Sequence, residues 1–149
     1  MYNSTKTYGH EVGLSCAFRQ WNAQSHCRLI HGYALSIKFI FEAATLDANN
    51  WVVDFGGMKS LKVVLEEHFD HKLLVAFDDP MKSDLLCLAE KGVADVVIVD
   101  SCGCEKFSEM IYSLTNTWLE DNKYKPRVRL VSVEVKEHGA NSAIYGGDL

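Results

Sequence analysis

The chain has no apolar run approaching the roughly 20 residues that a membrane-spanning helix requires, so the sequence predicts no such span. Residues 1–10 are polar and hold no apolar signal core, and cytoplasmic residence is the expectation. An excess of positive charge is also missing. Lys and Arg number 15 against 20 Asp and Glu, a net charge of −5, which argues against a general nucleic-acid surface. An anionic ligand must therefore be met by local basic residues. The five cysteines, Cys16, Cys27, Cys87, Cys102 and Cys104, form an odd set, which does not read as a disulfide framework. Cys102-Gly103-Cys104 lacks the spacing of zinc knuckles and redox motifs. Repeats, low-complexity tracts and linkers are absent, so the 149 residues are read as one domain. What is present is ordinary globular composition, 48% hydrophobic with a mean hydropathy of −0.06.

Residues 11–18 and 28–43 read as extended, the second run alternating in part and rich in β-branched and aromatic side chains. A polar loop, 22–26, separates them. Asp47-Ala48-Asn49-Asn50 is turn chemistry, and 51–55 read as a short extended approach to a helix. Over 58–69, Met58, Leu61, Val64, Leu65 and His68 fall at helical spacing. Asp78-Asp79-Pro80 breaks the chain. A short helix is predicted over 81–91, stopped at Gly92, and a strand over 93–99. A long amphipathic helix follows over 104–121, with Phe107, Ile111, Leu114 and Trp118 on one stripe. Pro126 ends the connection. Residues 128–137 alternate, with Val131, Val133 and Val135 on one face, and 142–145 form a last short strand. Strands at the two ends with helices grouped between them make an α+β pattern, and open strand edges invite oligomerisation.

Three segments collect nucleophilic, acid/base and ligand side chains. They are Ser25-His26-Cys27-Arg28-Leu29-Ile30-His31-Gly32-Tyr33, Phe69-Asp70-His71 and Lys136-Glu137-His138. In order and spacing, Cys27, His31-Gly32 entering a strand, Val53-Asp54-Phe55-Gly56-Gly57-Met58-Lys59 opening a helix and Asp70-His71 closing it resemble the tetrahydropterin synthase family. The ending, 133–137 followed by 140–145, is similar too. The resemblance spans nearly the whole chain except an insertion around 81–101.

That resemblance implies a tunnelling fold: an antiparallel four-stranded sheet with two long helices on one face. Its subunits would assemble around a strand barrel, as trimers or hexamers. It implies a lyase acting on 7,8-dihydroneopterin triphosphate to give 6-carboxy- or 6-pyruvoyl-tetrahydropterin. The first product fits queuosine and deazaguanine biosynthesis, the second biopterin synthesis. By matching position, Cys27 is the catalytic thiol, Asp70 and His71 the proton relay, Glu137 the pterin anchor and Glu105 a second pterin contact. The chemistry agrees with these residue types. A thiol moves protons once a positive neighbour lowers its pKa, and a histidine oriented by a carboxylate supplies that neighbour. A carboxylate accepts both adjacent N–H donors of a pterin edge. Arg19 and Arg28, near the Cys27 loop, are candidates for the triphosphate.

The family also implies a zinc ion held by three histidines, one on the first strand and two in a His-Gly-His opening the second. Here the second site reads His31-Gly32-Tyr33, and the first falls on Phe18 or Cys16. His31 remains, with His26 and Cys16 as substitute ligands. A second reading is therefore a non-catalytic or altered-substrate pterin- or purine-binding oligomer. His10, His68 and His138 read as structural or surface residues, and Trp21, Trp51 and Trp118 as core or interface.

Overall fold

The computed structural model describes residues 1–147. β1 (Tyr2–Tyr8) and β2 (Leu14–Phe18) lie in succession along one edge of β3 (His31–Ala43), both antiparallel to it. The pairing runs from Tyr2↔Ala43 to Tyr8↔Ile37, then from Leu14↔Leu35 to Phe18↔His31. Between the two strands a 3-10 turn, His10–Val12, ends at Gly13 with φ 79, a left-handed conformation that glycine adopts without steric cost. The extended run read over 11–18 is thus shortened to 14–18. Residues 2–8 form a strand that no sequence pattern marked, because Tyr8 alone of them is buried.

α1 (Lys59–Phe69) follows an irregular stretch, so 51–55 are not extended. Arg127 holds that stretch by donating to the carbonyls of Thr45, Trp51 and Val52. α1 ends at Asp70, and His71 turns the chain at φ 58 while its amide donates to the Ser15 carbonyl at 2.7 Å. The chain then enters β4 (Lys72–Ala76), α2 (Lys82–Glu90) and β5 (Val96–Val99). β4 runs parallel to both β2 and β5, which makes this segment a βαβ unit. Leu73, Leu74, Val75 and Ala76 are all buried, as in a strand covered on both faces. α3 (Cys104–Asp121), β6 (Val128–His138) and β7 (Asn141–Gly146) complete the chain, with β6 on the free edge of β3 and β7 hairpinned onto it.

All the strands join one seven-stranded sheet in the order β5-β4-β2-β3-β6-β7, with β1 beside β3. The architecture is α+β as expected. The sheet, however, is mixed and seven-stranded rather than antiparallel and four-stranded. The β4–α2–β5 unit adds the parallel strands, and the broken first strand adds another.

α1 and α3 cover one face through Leu61, Leu65 and Phe69 and through Phe107, Ile111, Trp118 and Leu119. Phe107 stands edge-on to Phe18 at 5.0 Å and to Phe69 at 5.6 Å between ring centroids, joining both helices to β2. Each such buried side chain contributes roughly 1.5–3 kcal/mol. α2 takes the opposite face, where Leu85 packs on Leu73 and Val75, the two β4 residues that alternate away from the main core. Among the described residues no helix is long and apolar enough to cross a membrane.

Candidate active site

Sequence-distant carboxylates meet where α3 begins and β6 ends. Glu105, in the first turn of α3, and Glu137, near the end of β6, line one polar cleft of about 420 Å³ together with Gln20, Cys104, Asn141 and Ser142. Cys104 is buried beneath them. Its burial, and then the charges of Glu137 and Glu105, push its thiol up to about 12. Burial and then the Glu137 charge also raise the Tyr33 phenol above its ordinary value. Both groups stay protonated at neutral pH and face Glu137 as donors rather than as competing anions.

Cys27 sits in a 3-10 turn, His26–Arg28, capped by Ser25, whose Oγ accepts from the Cys27 amide at 3.3 Å. The turn lies against the end of β2, where the Gln20 amide donates to the Cys27 carbonyl at 2.9 Å. Cys27 is partly exposed, and a thiolate there would raise the Tyr33 phenol. The structure therefore gathers Cys27, Tyr33, Cys104, Glu105 and Glu137 around one corner of the sheet. Arg19, expected to meet a triphosphate, is instead engaged by Asp79 in a two-pronged contact at 2.7 and 2.8 Å. Arg28 is exposed, with Nη1 donating to the Ser25 carbonyl.

Asp70 and His71 form a bonded pair, with His71 Nδ1 donating to Asp70 Oδ1 at 2.7 Å. The imidazole is 85% exposed, so its other nitrogen is open to a reacting group. Within one chain, however, it opens on a different cavity, shared with Ser15, Ile30, Lys72 and Leu88. That cavity has no lining residue in common with the Glu105–Glu137 cleft.

At the strand positions where the resemblance implies zinc ligands, Phe18 pairs with His31 and Cys16 with Tyr33. Gly32 separates the two β3 side chains because a Cβ there would lie 2.3 Å from the Cys16 carbonyl oxygen. Phe18, 1% exposed, packs 5.0 Å from the His31 ring, and Tyr33 stands edge-on to it at 5.5 Å. His31 Nδ1 donates to the Leu29 carbonyl at 2.7 Å. Cys16 is buried, and desolvation pushes its thiol up to about 12, far from the thiolate a metal needs. His26 lies on the exposed turn. Among the described residues no group of three or more His, Cys, Asp or Glu side chains is arranged to hold a metal ion. The donor set does not fit a three-ligand zinc.

Sequence reasoning missed Tyr33, Gln20 and Cys104 as members of the site; His138, 6.1 Å from the Tyr33 ring, lies on the surface as expected. Tyr33 stood out only as a missing histidine, and Gln20 carries no local signal.

The sequence pattern of the family described as 6-pyruvoyl tetrahydropterin synthase matches residues 9–148. A curated relative, 6-carboxy-5,6,7,8-tetrahydropterin synthase of Aquifex aeolicus, is 26% identical over 146 residues, covering 92% of this chain and 90% of its own. The fold is shared with an uncharacterized protein of Wolinella succinogenes, TM-score 0.82 at 18% identity, over 99% of this chain and 98% of that one. It is also shared with a catalytic-residue mutant of Plasmodium vivax 6-pyruvoyltetrahydropterin synthase, TM-score 0.68 at 12% identity over the full length of both. This chain belongs to the 6-pyruvoyl tetrahydropterin synthase family.

Proposed function

We propose that the protein is a lyase of 7,8-dihydroneopterin triphosphate that yields 6-carboxy-tetrahydropterin. The product assignment follows the name of the Aquifex aeolicus relative rather than the 6-pyruvoyl alternative. The observation that carries the reading is the convergence of Glu105 and Glu137 on one polar cleft beside Cys27 and Tyr33. Glu137 accepts the two adjacent N–H donors of the pterin edge, and Glu105 supplies the second contact. Cys27 removes a proton from a hydroxyl-bearing carbon of the side chain, and His71, oriented by Asp70, carries protons to and from it. Because the dyad opens on another cavity of the same chain, the relay comes from a neighbouring subunit of a homo-oligomer, a trimer or hexamer closed through the open β1 and β7 edges. These proton transfers need no zinc: the rings of Phe18 and Tyr33 pack on His31, and Cys16, the other candidate position on β2, is a buried neutral thiol.

A second reading, a pterin- or purine-binding oligomer without turnover, is favoured by that same aromatic substitution. Product analysis with 7,8-dihydroneopterin triphosphate separates the two, and Glu137→Ala tests what they share. Removing the carboxylate should weaken pterin binding by roughly 2–5 kcal/mol in calorimetry, the loss typical of a stranded charge-assisted pair. Unchanged affinity would mean the ring is held elsewhere.

A further inference from the structure

We propose that the Arg19–Asp79 pair is the positioning device of the Cys27 turn, fastening it to the β4–α2–β5 unit. The proposal rests on the reading of Cys27 as the proton-transfer thiol. Arg19 follows directly on β2. Its Nε donates to Asp79 Oδ2 at 2.8 Å and its Nη2 to Oδ1 at 2.7 Å, while Nη1 donates to the Arg28 carbonyl at 3.1 Å. One planar fork thereby holds a carboxylate and the residue next to Cys27 at once, a geometry that an ammonium on a flexible stem does not reproduce.

The anchor end is rigid. The Asp79 side chain is 2% exposed, its Oδ1 also accepts from the Met81 amide at 2.8 Å, and its own amide donates to the Ala76 carbonyl at 3.0 Å. A buried carboxylate must be paired or pay a large desolvation cost, so this contact is made continuously, unlike a surface ion pair. The residues after Arg19 add parallel ties. The Gln20 side chain donates to the Cys102 carbonyl at 3.3 Å, and the Trp21 indole to Asp78 at 3.2 Å. Residues 19–21 are thus bound to the chain just beyond the C-terminal ends of β4 and β5.

The turn end needs such support. Its residues are not buried, and its internal bonds are short-range: Arg28 amide to Ser25 carbonyl at 3.2 Å and Leu29 amide to His26 carbonyl at 2.9 Å. Core packing does not place Cys27. The Gln20–Cys27 backbone bond and the Arg19 fork do.

The test is amide hydrogen exchange in the assembled protein, alongside steady-state kinetics, for the unsubstituted protein, Asp79→Asn and Arg19→Lys. Asp79→Asn keeps the shape and the acceptor for Met81, and Arg19→Lys keeps the charge, so thermal melting should show both folded. Loosening the turn should speed exchange of the Gln20 amide about tenfold or more while β6 amides are unchanged. It should lower kcat by about tenfold with KM held within about twofold, since the pterin anchor lies elsewhere. A lower Tm with Gln20 exchange and kcat unchanged would reduce the pair to a structural role and overturn the proposal. So would faster exchange with kcat unchanged. Turnover retained in Cys27→Ala would instead defeat the catalytic reading of the thiol, independently of what the Gln20 amide reports.

Discussion

Phe18 faces His31 across the β2–β3 ladder with ring centroids 5.0 Å apart, and Tyr33 closes on the same imidazole from the other side of Gly32 at 5.5 Å. Tyr33 thus takes one position where family resemblance implies a histidine, and the other falls on Phe18 or on the buried Cys16. A phenyl ring offers no lone pair, and a neutral phenol is a poor ligand. After dialysis against a mild chelator, the protein should retain well below one zinc per chain by elemental analysis. Phe18→His combined with Tyr33→His places two imidazoles beside His31 and should raise retention to about one, as three protein ligands suffice for a catalytic-type site. A stoichiometry near one in the unsubstituted protein would show that other donors, His26 among them, complete a site.

The cysteines should divide sharply by reactivity. Burial pushes the thiols of Cys16 and Cys104 up to about 12 and that of Cys102 up to about 11. At pH 8 their thiolate fraction is on the order of one in a thousand or less. Cys27 and Cys87 reach solvent. Iodoacetamide should therefore modify these two alone, Cys27 the faster, and His71→Ala should slow Cys27 without touching Cys87. Because His71 opens on a separate cavity of its own chain, subunits carrying Cys27→Ala mixed with subunits carrying His71→Ala should regain turnover. Alkylation of Cys27 indifferent to His71 would break the proposed relay.

The Arg19 hydrogen bond holds the Asp79 carboxyl below its ordinary range, against the opposing effect of burial. A depressed native pKa means that the unfolded chain binds the proton more readily. The pair's contribution to stability is therefore complete above the ordinary carboxylate value of about 3.9 and is lost as pH falls through the lowered native value. Asp79→Asn should cost about 1.5–3 kcal/mol at pH 7, the usual worth of hydrogen bonds to charged groups, and progressively less in acid. Denaturant melts at several pH values check this. An equal cost at pH 7 and pH 3 would show that the charge is not what matters.

Local pattern made several elements legible. The stripe of Phe107, Ile111 and Trp118 marks α3 at its observed ends, 104–121, and the alternation of Val133 and Val135 with polar neighbours marks β6. Ordered resemblance points to Cys27, Asp70, His71, Glu105 and Glu137 as candidates, but spacing along the chain does not say which of them meet. β1 escaped because its outward residues are polar and its edge carries no period. β4 escaped because it follows α1 with only Asp70 and His71 between, so the apolar run from Leu73 to Ala76 is not separable by pattern from the helix before it. Arg19 read as a free cation because its partner lies 60 residues away, beyond any local window.

The sequence by itself determined which faces of its helices and strands are apolar and which residue types are available for chemistry, because both are properties of a few adjacent positions. Only the tertiary structure decided what those faces and residues meet. It brought Glu105 to Glu137, gave Arg19 to Asp79, set Phe18 and Tyr33 around His31, and left His71 on a cavity separate from the cleft. Those choices come from packing one long strand against partners drawn from both ends of the chain, and burial pattern records only that a side chain is covered, not by what.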